Sequence, residues 1–167
     1  MKIRLDNNLS PRVCEAVAAA LPNRDGYEVS HYGTTHPPGT SDPDWLRAFA
    51  ADGGTAIVSG DARILQNWPD LVAYTETGLI SFFPPHPFEK LDRFGKVAYI
   101  VRWWPAIIEK IKIGQPGDRW RLPFNWERQH TSMQLLVDPR VKGRKVDSTL
   151  PSNVVKISKK RATDGAP

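Results

Sequence analysis

Three aspartates, Asp6, Asp42 and Asp61, stand far apart in the chain but at comparable places in its pattern. Asp6 ends the alternating run Lys2-Ile3-Arg4-Leu5, and Asp61 follows the apolar run Thr55-Ala56-Ile57-Val58-Ser59. Asp42 precedes Pro43 at the start of a helical pattern. In an open α/β sheet, ligands bind outside the carboxyl ends of the strands, so these acids are expected at one edge. Carboxylates brought together repel, and one of them tends to take up a proton. A divalent cation removes that conflict: Mg²⁺ prefers oxygen ligands and keeps several of its waters. One such water can attack a phosphodiester while the ion stabilises charge on the phosphate oxygens. Asn8 and Ser59 lie beside the trio and can orient carboxylates or waters. Asp44 is a candidate fourth ligand.

Each acid also has a plainer reading. Asp42 before Pro43 and Asp61 before Ala62-Arg63-Ile64 are good helix N-caps, and Asp44 fits the first turn of a helix. Asp6 is harder to explain this way. It ends a predicted central strand, where a carboxylate needs partners or a metal.

The elements that must position these residues alternate. Lys2–Leu5 reads as a strand, followed by a helix that Ser10 caps and Pro11 opens. Tyr27–His31 reads as a second strand, Gly33–Thr40 as a loop, and Asp42 to Ala50 as a second helix closed by Gly53-Gly54. Thr55–Ser59 is a continuous apolar strand suited to the centre of a parallel sheet. A helix is expected from Ala62, a fourth strand over Leu79–Phe83, and a long helix over Phe88–Ile111 with Pro105 inside it. This order predicts a three-layer α/β/α sandwich around a mostly parallel sheet. Asp118–Leu136 is expected to add a hairpin or edge strands around Trp120, Phe124 and Trp126. Residues 1–138 read as one domain, with a core over 1–112 and an accessory part over 113–138. Residues 139–167 read as a disordered tail.

Composition narrows the function classes. The formal net charge is +5 over 167 residues. Residues 139–167 carry eight Lys and Arg against two Asp, so the excess belongs to the tail. Lys156, Lys159, Lys160 and Arg161 can make loose, salt-sensitive phosphate contacts. The apolar runs are far too short to span a bilayer, and Met1–Asp6 sets an acid where a signal peptide needs an apolar stretch. A cytoplasmic protein is expected. The single cysteine, Cys14, excludes an internal disulfide and a Cys-based zinc site. The four histidines show no metal-ligand spacing. No phosphate-binding glycine loop, dinucleotide fingerprint or Gly-x-Ser-x-Gly elbow is present. Tyr99, Trp103 and Trp104 read as core or a homodimer contact. Aromatics among Arg102, Arg119, Arg121 and Arg128 have a second reading along single-stranded nucleic acid.

Taken in order, three segments resemble the PIN-like superfamily. They are Leu5-Asp6-Asn7-Asn8-Leu9-Ser10-Pro11, Ser41-Asp42-Pro43-Asp44-Trp45-Leu46 and Ile57-Val58-Ser59-Gly60-Asp61-Ala62-Arg63-Ile64. The resemblance is to its short branch of VapC-like toxins and covers roughly residues 1–112. It implies an α/β/α nuclease that cleaves RNA with Mg²⁺ or Mn²⁺ and is held inactive by a partner antitoxin. It implies Asp6, Asp42 and Asp61 as metal-binding and catalytic acids, with Asn8 and Arg63 as polar companions. A further downstream acid belongs to the pattern, and Asp70 and Glu76 are the candidates. On this reading EDTA stops cleavage, and Asp6→Asn and Asp61→Asn each abolish it with little loss of folding. Deleting residues 139–167 weakens nucleic-acid binding at low salt. A degenerate domain that binds RNA or an antitoxin without cutting is the alternative. A receiver-like signalling module is a weaker one, since Asn7 and Asn8 replace its paired acid and no lysine follows Phe83.

Overall fold

The computed structural model describes residues 1–21, 26–37, 39–61, 66–125 and 133–136. The chain divides into two compact units, Met1–Leu136 and Val137–Pro167. The second unit, with Lys156, Lys159, Lys160 and Arg161, lies outside the described residues, and so do Arg63, Trp126 and Arg128.

Within the first unit the order is β1 (Lys2–Leu5), α1 (Pro11–Ala20), β2 (Glu28–His31), α2 (Tyr32–Thr35), α3 (Asp42–Ala51) and β3 (Gly54–Val58). Then come α4 (Trp68–Thr77), β4 (Ile80–Phe83), a 3₁₀ turn (His86–Lys90), α5 (Arg93–Ile113), β5 (Arg119–Arg121) and β6 (Gln134–Leu135). The strands form one sheet in the order β2-β1-β3-β4-β5-β6. All pairings are parallel except β5 with β6. The connection after β1 leads to one side and the connection after β3 to the other, so the topological switch lies between β1 and β3. That is the place where an α/β sheet opens a ligand crevice.

Side-chain alternation along the strands sorts the core into two layers. Ile3, Leu5, Ala56, Val58, Ile80 and Phe82 share one cluster with Val13 and Val17 of α1 and with the buried face of α5. Ile57 and Phe83 share the other with Trp45, Leu46 and Phe49 of α3 and Ala73 and Tyr74 of α4. The α/β/α architecture is thus the one expected from the alternating pattern. Tyr99, Trp103 and Trp104 of α5 are buried, which makes them core rather than a dimer contact.

The element boundaries differ from expectation in two places. Tyr32–Thr35 forms a helical turn inside the expected loop, because the His31 ring accepts from the Gly33 N–H and caps it. The long helix starts at Arg93 rather than Phe88, because the Asp92 carboxylate accepts from the Gly95 N–H at 2.7 Å and opens a new helix. Asp118–Leu136 adds the expected edge strands: β5 runs parallel to β4, reached through α5, and β6 pairs antiparallel with β5. The helix expected from Ala62 is described only from Trp68 onward. No helix among the described residues is long and apolar enough to cross a membrane.

Candidate functional site

Asp6 follows β1 at the switch point and is 3 % exposed. Its N–H continues the ladder by donating to the Val58 carbonyl at 3.1 Å. The chain then turns, and four protein donors converge on the carboxylate. Oδ1 accepts from the Asn8 N–H at 3.0 Å and the Gly60 N–H at 3.1 Å. Oδ2 accepts from the Ser59 hydroxyl and from Asn8 Nδ2 at 3.4 Å. Burial nevertheless raises the Asp6 pKa, with the four hydrogen bonds pulling the other way.

Ser59 joins Asp6 to Asp61. Its hydroxyl donates to the Asp6 carboxylate, and its Oγ accepts from the Asp61 N–H at 3.2 Å. The sequence places Ser59 and Asp61 at the end of an apolar strand. The structure adds that one small hydroxyl ties the ends of β1 and β3 together. His31 holds the other side of the same turn. The Gly33 N–H donates to Nδ1, which leaves the proton on Nε2 for the Leu9 carbonyl at 2.7 Å. His31 is a positioning residue for the Asp6–Leu9 turn.

Asp42 opens α3 but is not its cap. Ser41 is the cap, with the Asp44 N–H donating to its hydroxyl at 3.4 Å. The Ser41 hydroxyl returns a bond to the Asp44 carboxylate at 2.5 Å. Asp44 is therefore engaged with its own helix terminus, as the plainer reading has it. Asp42 accepts from the Trp45 indole N–H at 2.8 Å, which fixes its carboxylate against the buried ring.

Two residues on α4 complete the arrangement. Asp70 is buried at the start of the helix and accepts from Asn67 Nδ2 at 2.7 Å. Burial raises its pKa, the Asn67 bond opposes this, and the charge of Asp42 adds to the rise. Tyr74, one turn on, is fully buried, and its hydroxyl has no hydrogen-bond partner among the described residues. Burial holds the phenol well above its usual range, followed by the charges of Asp6, Asp42 and Asp70. Three acids from β1, α3 and α4 thus act on one unpartnered hydroxyl. Of the two downstream acids, Asp70 is the buried one, and its charge reaches the Tyr74 hydroxyl. Glu76 instead pairs with Arg47 at 3.1 Å on the exposed side of α3 and α4. Tyr74 escaped sequence reading because it reads as an ordinary core aromatic at helical spacing.

The donor set does not match what a metal ion needs. Among the described residues, no three His, Cys, Asp or Glu side chains come together to hold one. Asp6 spends its oxygens on four protein donors, and Asp42 spends one on Trp45. As they stand, these residues do not fit a preformed carboxylate cage.

The raised Asp70 pKa has a pH consequence. A carboxyl whose pKa is higher folded than unfolded stabilises fully below its unfolded value, about 3.9, and loses this as pH rises through the folded value. Asp70→Asn keeps an acceptor for Asn67 but cannot ionise. Its stability relative to wild type is expected to improve between about pH 4 and about pH 7. Denaturant titrations of both proteins at the two pH values check this, and a pH-independent difference contradicts it.

A family model described as PIN like domain matches residues 1–85, which run from β1 past β4 and include every acid above. No curated protein and no solved structure matches the chain.

Proposed function

Because the chain belongs to the PIN-like domain family, we propose that it is an RNA-binding member that lacks a preassembled catalytic metal centre. RNA is the ligand that the family resemblance implies. The observation that carries the second half is the state of Asp6. An acid meant to offer its lone pairs to an ion has them occupied by Ser59, Gly60 and Asn8. Its role on this reading is to lock the ends of β1 and β3 at the crevice. The experiment is RNA binding and RNA integrity measured together. The purified chain is expected to bind single-stranded RNA in EDTA and to leave it intact when Mg²⁺ or Mn²⁺ is added.

A second reading is the Mg²⁺- or Mn²⁺-dependent ribonuclease, a hydrolase of the toxin type with an antitoxin as partner. The Tyr74 hydroxyl, unpartnered among the described residues and within reach of the charges of Asp6, Asp42 and Asp70, favours it, since a buried donor without a partner is costly and a metal-bound water would accept its hydrogen bond. A bound divalent ion would supply an activated water and stabilise charge on the phosphate. On this reading EDTA-sensitive cleavage is expected, and Asp42→Asn removes it. Asp42 is exposed, so that variant separates cleavage by this chain from cleavage by a contaminant.

A further inference from the structure

A cleft lies at the carboxyl ends of β4 and β5, beyond the residues that the family model covers. It has a volume of about 370 Å³, within the range of small-ligand sites. Arg121, Phe124, Asn125 and Gln134 line it together with Pro85 and Pro123. We propose that this cleft takes one unpaired nucleotide of a single-stranded RNA. The inference rests on the RNA-binding reading above and gives it a second contact point.

The register places the cleft. Phe83 pairs with Arg121, one step beyond the row Val58–Phe82–Trp120. Asp6 and Ser59 stand one step beyond Leu5 and Val58 in the same direction. Asp6, Ser59, Phe83 and Arg121 therefore form one row across the sheet edge, with Arg121 three strand spacings, roughly 14 Å, from Asp6. A short strand of RNA lying along this edge spans both.

The chemistry suits a nucleotide. The Arg121 guanidinium is exposed and has no hydrogen-bond or ion-pair partner among the described residues. A free guanidinium fork matches a phosphate. Phe124 is 40 % exposed, and Tyr99 supports it from the core at 6.4 Å between centroids with 27° between planes. The Tyr99 hydroxyl donates to the Pro123 carbonyl at 2.8 Å and fixes that stack. A supported, half-open ring is a platform for a base of any identity. Gln134 brings an amide, which can donate to and accept from base edges.

The test is anisotropy of a fluorescein-labelled short single-stranded RNA with the full chain in EDTA. Arg121→Ala is expected to weaken binding about 10-fold and to lower the salt slope by about one. Phe124→Leu is expected to weaken it about 5-fold. If wild type binds and Arg121→Ala binds within about twofold with an unchanged salt slope, the cleft is not a nucleotide subsite, while the RNA-binding reading stands. If wild type does not bind RNA, both fall. Arg121 is exposed, so its variant keeps the test valid even if Phe124→Leu disturbs the core.

Discussion

Asp6→Ala is expected to destabilise the folded chain by about 3 kcal/mol. Two effects compete. Removing a buried carboxylate relieves the desolvation that raises its pKa. Against that, the N–H groups of Asn8 and Gly60 lose their acceptor at a crowded turn, and each such loss costs about 1–3 kcal/mol. Ser59 is partly rescued, because its hydroxyl can turn to the Asp61 carbonyl, 3.3 Å away. The orphaned backbone donors dominate. Asp6→Asn behaves differently. Its carbonyl still accepts from both N–H groups, and its amide replaces Oδ2 and donates to Ser59 Oγ. It is expected to fold nearly as well as wild type. Urea titration followed by tryptophan fluorescence measures both. Equal stability of Asp6→Ala and wild type would show that the hydrogen bonds do not hold the turn.

Gly60→Ala is expected to cost about 2 kcal/mol and to loosen the same turn from the other side. A Cβ on Gly60 would sit 2.9 Å from the Asn8 carbonyl oxygen and 3.0 Å from its carbonyl carbon. Those are backbone atoms, held by Asp6, and they cannot move aside as a flexible side chain would. Space rather than backbone conformation demands glycine here, since no positive φ is involved. Faster exchange of the Asn8 and Gly60 amides, together with the stability loss, checks this. Wild-type stability and exchange would mean that the two loops are not packed as described.

Much of the fold was legible in the sequence because its signals are local and periodic. The run Ala56-Ile57-Val58 reads as a buried strand, and Ser10-Pro11 and Asp42-Pro43 read as helix starts. The place of β5 was not legible. Arg119–Arg121 is short and charged, and its partner β4 is reached only across the whole of α5. For the site, the shared edge of Asp6, Ser59 and Asp61 follows from strand ends alone. What no local pattern carries is the occupancy of an acid. Asp6 looks the same in sequence whether it faces an ion or four protein donors. Asp70 was visible as a candidate but not distinguishable from Glu76, because three-dimensional packing of α4 decides which of them turns inward. Asp61 shares Ser59 with Asp6, as expected for neighbours at the crevice, whereas Asp44 is bound up in its helix cap.

RNA binding by this PIN-like chain without a preassembled metal centre is tested in a single incubation series with labelled single-stranded RNA, read by anisotropy and then by denaturing gel, in EDTA, Mg²⁺ and Mn²⁺. Comparable binding in all three and intact RNA throughout are expected. Cleavage that requires Mg²⁺ or Mn²⁺, stops with EDTA and disappears in Asp42→Asn would contradict this and establish the nuclease reading instead.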